Sequence, residues 1–280
     1  MTADTIPLDA EERRRQRSER FLRVARIALP LGVGVLALGG WEWIVWYHQI
    51  PHYILPGPSL VAVALWNDWN TLYPSLLITL QIMAMALAVA VAGGVGLAIL
   101  FTQSKIVELT LFPYAVILQV TPIIAIAPLI LIYVDNPYVA LLICAWIVAF
   151  FPILSNTTLG LNSADHNLIN LFQLYGANSW QTLRFLRLPS ALPYFLGGLR
   201  IGGGLSLIGA VVAEFAAGTA GRGSGLAFRI LEAGYRLNIP RMFAALILIS
   251  LTGVAVYALT TLLSHLLLRR WHESALKREN

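Results

Sequence analysis

The sequence contains no glycine followed directly by lysine, the pair that a phosphate-binding loop requires. A loop that holds nucleotide phosphates needs glycine followed directly by lysine, because backbone amides and an ammonium group bind the phosphates. The chain has two lysines, Lys105 and Lys277, and they follow Ser104 and Leu276. Its five histidines are scattered, without the spacing of a nucleophile–base pair or of metal ligands. The sequence therefore predicts that this chain is not an enzyme and holds no cofactor or metal of its own.

The composition is that of a membrane protein. Of the 280 residues, 58% are hydrophobic and 12% are charged, and the mean hydropathy is +0.73. A soluble domain carries about 25% charged residues, so the long uncharged runs are expected to lie in lipid. The net charge of +5 is compatible with nucleic-acid binding, but the basic residues flank the apolar runs. That pattern is typical of contact with membrane lipid, so no nucleic acid is expected.

Six apolar runs are long enough to cross a bilayer as helices. They predict an all-α, polytopic membrane bundle over residues 27–268. The first run is expected to be a retained span, because no small-residue cleavage site follows it. In the third run, Pro113, Pro122 and Pro128 each remove a backbone donor and can kink or break the helix. The predicted spans are Ile27–Tyr47, Leu76–Phe101, Val107–Val134, Tyr138–Thr158, Tyr194–Phe215 and Met242–Leu268.

The distribution of arginine and lysine predicts the orientation of the spans. Fourteen of these residues fall in a basic N-terminal arm at 1–26, in a tail at 269–280 and in the connections on the same side. Since positive charge is retained in the cytoplasm, both termini are expected there. The four on the other side are all in the last loop: Arg222, Arg229, Arg236 and Arg241.

The outer segments contain two further patterns. The loop near residues 48–70 and the end of the first span are rich in tryptophan and tyrosine. These rings suit a membrane interface, and contact with a soluble partner is the alternative. The glycines at 221, 223 and 225 are not in the strand-to-helix context of a nucleotide site, so they predict a tight outer turn that packs close to the spans.

Polar side chains inside spans are rare, and each is a candidate for a solute pathway. Three candidates form the proline kink of the third span, where freed backbone groups can line a cavity. The others lie in the fourth and fifth spans. Their alternative role is structural, through interhelical hydrogen bonds or an arginine that reaches the headgroups. The candidates are Gln119, Thr121, Pro122, Asn156, Arg200 and Glu214.

Small residues in the fifth span predict a close helix crossing. Gly198 and Gly202 form a G-x-x-x-G pattern, and Gly203 and Gly204 follow. Such a pattern lets a second backbone approach closely. The second helix can belong to another copy of the chain or to this one, and the pattern does not separate the two.

The longest cytoplasmic connection, residues 163–193, predicts a hairpin of two short helices. Its apolar positions would be exposed in the cytoplasm, so a partner is expected to cover them. Ser163 or Asp165 is expected to cap the first helix, and Gly176 is expected to end it in a left-handed conformation. Asn178 or Ser179 is expected to cap the second helix, and Pro189 is expected to stop it.

The spacing of Gly176 and Leu188-Pro189 in this connection resembles the EAA loop of ABC importer permeases. The SALPYFLGGLRIG segment that follows is similar to the start of the fifth span in the nitrate/taurine/sulfonate family. The resemblance covers about residues 55–270. It includes the LPGPS turn at Leu55–Ser59, the TPIIAIAPLILIY of the third span and the Ala213-Glu214 pair. It implies a fold like that of a type I ABC importer.

This resemblance implies a permease subunit that forms the path of a small solute. The hairpin at 163–193 would be the coupling helix, seated in a groove of a separate ATPase that binds ATP and Mg²⁺. An extracytoplasmic binding protein and a second copy of the chain would be further partners, in the plasma (inner) membrane of a bacterium. The residues implied at the ATPase contact are Leu174, Tyr175, Gly176, Ala177, Asn178, Ser179, Leu188 and Pro189.

The chain departs from the family pattern in three places. Asn170, Leu171 and Phe172 stand where the loop usually starts with Glu-Ala-Ala. Asp135 stands where glycine is common, and the outer GTAGRGSGLAF stretch is longer and richer in glycine.

The resemblance implies nitrate, a sulfonate, taurine, bicarbonate, or a vitamin precursor of the pyrimidine or riboflavin type as the solute. A secondary transporter or channel that does not use ATP is the alternative class. The halves of the sequence show no repeat and the spans contain few acids, which favours the permease. A membrane scaffold without transport is a third interpretation.

Overall fold

The computed structural model describes residues 10–218 and 223–269. Regular structure within these residues is entirely helical, which confirms the all-α prediction. A π-helical turn, Leu183–Arg187, joins the helices Ser179–Thr182 and Leu188–Ala217. In chain order the helices are α1 (Ala10–Tyr47), α2 (Pro58–Asn67), α3 (Trp69–Gln103), α4 (Lys105–Val120), α5 (Ile123–Tyr133), α6 (Pro137–Leu161), α7 (His166–Leu174), α8 (Ser179–Thr182), α9 (Leu188–Ala217), α10 (Leu226–Tyr235) and α11 (Ile239–Leu268).

The described helices form up to six membrane crossings. Five are continuous and apolar over at least 18 residues, and α4 and α5 together make a sixth if the bent pair counts as one span. Each predicted span overlaps one of these crossings, and most of the helices extend beyond the predicted bounds. The chain is therefore a multi-pass membrane protein. The continuous crossings are Val24–Tyr47, Trp69–Gln103, Pro137–Leu161, Ser179–Ala217 and Ile239–Leu268.

The third span is two helices and not one, because Pro122 interrupts it. The axes of α4 and α5 are bent by 102°. Pro122 has no amide hydrogen for the Leu118 carbonyl, and the residue before it, Thr121, is extended with a ψ of 121°, so the helix ends here. The other two prolines of the predicted span, Pro113 and Pro128, lie inside α4 and α5 and do not end them. The prediction that proline breaks this span is confirmed at Pro122.

The prediction that Pro189 stops the second hairpin helix is wrong. Helix continues from Ser179 to Ala217, so this arm of the hairpin is the start of the fifth span. The π-helical turn explains why the helix is not stopped, since the Leu188 amide bonds the Leu183 carbonyl five residues back and widens the turn. Pro189 then lies in the first turn of α9, where a missing amide hydrogen costs least.

The described residues from 10 to 63 form one compact unit, made of α1 and the first part of α2. The backbone of the predicted N-terminal arm is helical from Ala10 and continues into the first span. The Glu42 carboxylate accepts hydrogen bonds from the Ser59 amide at 2.9 Å and from the Ser59 hydroxyl at 2.7 Å. The predicted LPGPS turn is thus held at the start of α2 by a carboxylate from α1.

The second unit, from Ala64 onward, is built around α3, α6 and α9. Small residues let these helices pack closely, and alanines are frequent in the buried positions. A Cβ on Gly198 would lie 2.8 Å from the Cβ of Asn156, and one on Gly202 would lie 3.0 Å from Ile153. The G-x-x-x-G pattern therefore seats α6 of the same chain, which favours intrachain packing for this motif.

Some segments with predictions from the sequence lie outside the residues that the structure describes. Residues 270–280 of the tail, Gly221 and Arg222 lie outside the described residues, as do the first nine residues of the arm. The glycine-rich turn is described from Gly223 onward and leads directly into α10.

Candidate functional site

The hairpin of the long connection has a defined geometry. Asp165 caps α7, because its Oδ1 accepts a hydrogen bond from the Asn167 amide at 2.7 Å. Gly176 follows the helix with a φ of 69°, the left-handed conformation expected of it. Asn178 and Gln181 form a reciprocal capping box at the start of α8, with both bonds at 2.8 Å. Of the alternative caps, the structure uses Asp165 and Asn178.

The tip of this hairpin exposes large apolar side chains. Leu174 and Tyr175 are each 84% exposed, and Trp180 is also open to solvent. In contrast, Leu183 and Leu186 of the π-helical turn are buried in the bundle. One side of the second arm is therefore anchored in the membrane domain while the other side is exposed. A contiguous apolar surface of this kind marks an interaction site.

The atypical start of the loop lies on the same surface. Leu171 and Phe172 line an apolar groove of about 320 Å³ together with Tyr175, Ala177 and Phe185. The residues that replace the usual Glu-Ala-Ala thus extend the apolar surface and do not add a polar contact. The sequence shows that Asn170, Leu171 and Phe172 replace Glu-Ala-Ala, and the structure places Leu171 and Phe172 on the apolar groove beside the hairpin tip.

A polar cavity joins the hairpin to the end of α3. It has a volume of about 230 Å³ and is lined by residues that include Gln103, Gln173 and Ser179. Across it, the Arg187 guanidinium donates a hydrogen bond to the Thr102 carbonyl at 3.3 Å. Arg187 therefore ties the π-helical turn to the neighbouring span, a contact that the sequence did not indicate.

Three of the predicted pathway residues lie at the break between α4 and α5. Gln119 is exposed near the end of α4, and Thr121 is half-buried. Both the amide and the hydroxyl of Thr121 bond the Ile117 carbonyl, at 3.1 and 2.6 Å. Pro122 begins the turn into α5, and its carbonyl accepts a hydrogen bond from the Ala125 amide at 3.0 Å.

The other pathway candidates lie apart from this break. Asn156 is half-buried where α6 crosses α9, and its amide nitrogen donates to the Pro152 carbonyl at 2.8 Å. Arg200 lies between α9 and α11, with its guanidinium carbon 5.6 Å from the centre of the Tyr257 ring. The structure does not bring these six residues together into one cluster.

Glu214 is enclosed near the C-terminal end of α9. Its Oε1 accepts a hydrogen bond from the Thr79 hydroxyl at 2.7 Å, and its Oε2 accepts one from the Ala227 amide at 2.9 Å. Thr79 in turn accepts a hydrogen bond from the Leu226 amide at 2.9 Å. The carboxylate and the hydroxyl together satisfy the first two amides of α10, which have no partner within their own helix.

The described arginines between α9 and the first turn of α11 are paired within the chain. Arg229 and Arg236 both contact Glu232, at 2.7 and 2.9 Å. Arg241 forms a two-pronged ion pair with Asp68 at the start of α3. These pairs reduce the positive charge that this segment offers to an anion. Sequence spacing indicates the contacts of Glu232 with Arg229 and Arg236, because i+3 and i+4 positions share a helix face. It does not indicate the pair of Arg241 with Asp68.

The Glu232 carboxylate of this segment has a shifted pKa. A hydrogen bond from the Arg229 guanidinium lowers that pKa below the ordinary value of 4.5, against a smaller opposing effect of burial. The charges of the neighbouring arginines lower the pKa further. Glu232 therefore remains ionised at neutral pH and holds α10 together electrostatically.

The helical bundle, its broken third span and its exposed hairpin define a class of protein, the membrane subunit of a transporter. Comparison with known proteins identifies the family. Residues 90–271 match the binding-protein-dependent transport system inner membrane component, and the chain belongs to this family.

Relatives of known name cover most of the chain. The chain is 34% identical to the riboflavin transport system permease protein RibX of Chloroflexus aurantiacus, over 96% of this chain and 99% of that protein. It is 31% identical to the formylaminopyrimidine transport permease protein ThiX of Halalkalibacterium halodurans, over 77% of this chain and 85% of that protein.

A solved structure shares the fold. A crystal structure of an amino acid ABC transporter with histidines superposes with a TM-score of 0.54, at 19% identity, over 70% of this chain and 92% of that chain. The predicted family and the predicted type I importer-like bundle are confirmed by these comparisons.

Proposed function

We propose that this chain is the permease of a bacterial importer and that a separate ATPase drives it through the hairpin at 163–193. The exposed apolar tip around Leu174 and Tyr175 is the observation that carries the proposal. The chain has no Gly-Lys pair that could hold a nucleotide, so a partner subunit must bind ATP and Mg²⁺. That partner would bury the tip.

The path from this contact into the membrane is short. The second arm of the hairpin begins at Ser179 and is continuous with the fifth span, 39 residues in all. Because Leu183 and Leu186 are buried in the bundle, a displacement of the tip acts on a helix that is already anchored. Helix α9 packs along α6, so the movement would reach the core of the membrane domain.

The contact with the ATPase is proposed to be mostly apolar. Leu171, Phe172 and Phe185 line the groove beside the tip, and a large side chain of the partner would fill it. Gly176 lets the chain turn sharply in front of Ala177, Asn178 and Ser179, so that this segment forms the centre of the contact. Leu188 and Pro189 begin α9 behind the contact and transmit its movement.

The solute path is proposed to pass the break between α4 and α5. Gln119 is exposed there, and Pro122 leaves the Leu118 carbonyl without a helical partner. An unpaired carbonyl and a side-chain amide are suitable for a polar solute in an apolar surrounding. Asn156 is a second position on the proposed path. The contacts of Arg200 and Glu214 support a structural role more than a place on the path.

The solute is proposed to be a neutral heteroaromatic molecule of the riboflavin kind. The relative that transports riboflavin matches this chain over nearly its whole length. Arg229 and Arg236 share Glu232, and Arg241 pairs with Asp68, so two carboxylates offset most of the positive charge of these three arginines. Uptake of labelled riboflavin that is lost on deletion of this chain supports the assignment. Loss of taurine or nitrate uptake instead would move the solute to the anionic group and leave the permease role in place.

The importer is proposed to contain further subunits. A binding protein outside the membrane would deliver the solute, near the exposed Tyr235 and Leu237 at the end of α10. A second copy of the chain would complete the path, and both termini would lie in the cytoplasm of the bacterial cell. Uptake that stops with an uncoupler while the ATP level is held constant would instead support an ion-driven transporter.

A matched pair of substitutions tests the role of the hairpin. Tyr175→Glu places a charge on the exposed tip, whereas Tyr235→Glu makes the same change at a tyrosine of similar exposure beyond the other end of α9. We expect Tyr175→Glu to abolish co-purification of the ATPase and solute uptake, and Tyr235→Glu to leave the ATPase bound. If both variants retain the ATPase, the tip is not its docking site.

A further inference from the structure

A groove of about 410 Å³ lies between the first third of α9 and the last third of α11. Its polar lining consists of Arg200, Thr261, Ser264 and His265. The lining residues include one permanent cation and no acid. A groove of this composition in a membrane domain favours a negatively charged ligand.

Two polar groups of the groove have no partner among the described residues. The Arg200 Nε and the Thr261 hydroxyl are both buried and make no hydrogen bond. The neighbouring Thr260 and Ser264 differ, since their hydroxyls donate to carbonyls of their own helix at 2.9 Å. A buried donor without a partner costs about 1–3 kcal/mol, so an acceptor from outside the chain would stabilise both groups.

The guanidinium is held in place for such a ligand. Arg200 stacks over the ring of Tyr257, one turn before Thr261 on α11. A guanidinium offers paired donors in a fixed plane, a geometry that matches two oxygens of a phosphate. The Thr261 hydroxyl and the His265 ring add donors on the opposite wall.

The groove lies at the edge of the hydrocarbon layer, where it borders the headgroup region of a bilayer. Helix α11 has 30 residues, about 45 Å, and a centred helix of this length extends roughly 7 Å past each face of a 30 Å hydrocarbon layer. Thr261 lies seven residues before Leu268, about 10 Å from the helix end. Thr261 thus lies about 3 Å inside the edge of the hydrocarbon layer, next to the headgroup region of one leaflet.

We propose that this groove binds a phosphate-type oxyanion through Arg200 and Thr261, and that an anionic phospholipid headgroup of the adjoining leaflet, with no cationic group of its own, supplies it. Basic pockets between membrane helices bind anionic headgroups through the same chemistry. Free phosphate is the second source of the same oxyanion. The proposal does not depend on ATP-driven transport, because it concerns a site of the isolated membrane domain.

Lipid binding by the full-length chain tests the proposal. In nanodiscs of phosphatidylcholine, added phosphatidylglycerol should raise the Tm by several degrees and remain bound in native mass spectrometry. Arg200→Gln should lose both effects, Thr261→Val should weaken them, and Arg200→Lys should keep part of the binding. A Tm that rises with inorganic phosphate in lipid-free detergent identifies free phosphate as the source. If neither addition stabilises the wild-type chain more than Arg200→Gln, the proposal is wrong.

A second pair of variants separates binding from folding. A Cβ at Gly197 meets no atom within 4 Å, and the same is true of Gly204 two turns later on α9. Gly197→Leu should fill the groove and displace the lipid while Arg200 is retained. Gly204→Leu makes the same change in helix propensity outside the groove and should keep the lipid bound. Equal lipid binding by the two variants would overturn the placement of the site.

Discussion

Gly225 faces the carboxylate of Glu214 so closely that a Cβ atom at position 225 would overlap both carboxylate oxygens. The absence of a side chain lets the start of α10 approach the carboxylate, which then accepts the Ala227 amide. The same arrangement recurs in the N-terminal unit, where a Cβ on Gly57 would lie 2.9 Å from the carboxylate oxygens of Glu42. In each case a carboxylate from a span holds the first turn of a short helix.

Gly225→Ala is expected to destabilise the protein. The added methyl group requires α10 or the Glu214 side chain to move, which breaks the bonds to Thr79 and Ala227 and leaves a buried carboxylate without donors. A loss of about 2 kcal/mol is expected from the unpaired groups. Thermal unfolding in detergent measures it, with Gly223→Ala as the control, because a Cβ at Gly223 meets no atom within 4 Å. Equal Tm values for the two variants would show that the hydrogen bonds of Glu214 with Thr79 and Ala227 do not contribute to stability.

Glu42→Gln is expected to loosen the turn between α1 and α2. The amide side chain retains one acceptor oxygen, so it can keep only one of the two hydrogen bonds from Ser59. Limited proteolysis between residues 48 and 57 should become faster, while the Tm of the second unit stays unchanged. Ser59→Ala removes the hydroxyl bond alone and should give an intermediate rate. Cleavage at the wild-type rate in both variants would contradict this role.

The Arg241–Asp68 pair is expected to stabilise the connection between α3 and α11. The two side chains are mostly buried and joined by two hydrogen bonds, so the pair should contribute more than an exposed ion pair. A double-mutant cycle of Asp68→Asn and Arg241→Gln should give a coupling free energy of about 1 kcal/mol. Additive effects on the Tm would mean that each side chain acts alone.

Acidification is expected to weaken α10 through Glu232. Its pKa is lowered in the folded protein, mainly by the hydrogen bond from Arg229, so the stabilisation is fully present above the ordinary pKa of 4.5. It is lost as the pH falls through the lowered folded value. The Tm difference between wild type and Glu232→Gln should therefore be constant from pH 7 to about pH 5 and shrink below that range. A difference that persists at pH 3 would argue against the ion pairs as its source.

The long elements of the fold could be predicted from the sequence because each depends on local composition. Apolar runs marked the spans, and proline marked the break at Pro122. The caps Asp165 and Asn178 were among the predicted alternatives, since a cap acts within a few residues of chain. Helix α10 was missed because it is short and amphipathic and lies next to a glycine-rich segment.

Contacts between distant residues could not be predicted in the same way. The pairing of Glu214 with Thr79 spans 135 positions and that of Arg241 with Asp68 spans 173. Such contacts depend on how helices are arranged, which a single sequence does not state. The stop expected at Pro189 failed for a related reason, because the π-helical turn that accommodates proline is not encoded by a recognisable pattern.

Gly176 allows the backbone and the chemistry of the hairpin tip to be tested separately. Its φ of 69° is a conformation that asparagine and aspartate adopt more readily than other residues with side chains, and a Cβ there meets no atom within 4 Å. Gly176→Asn and Gly176→Asp therefore add side chains of nearly equal size to a backbone that both can adopt. Because the tip is proposed to dock on an ATPase through an apolar surface, the charged aspartate should abolish co-purification of the ATPase and solute uptake. The neutral asparagine should retain most of both. Loss in the two variants alike would mean that the contact has no space for any side chain, whereas retention in both would place the docking surface elsewhere.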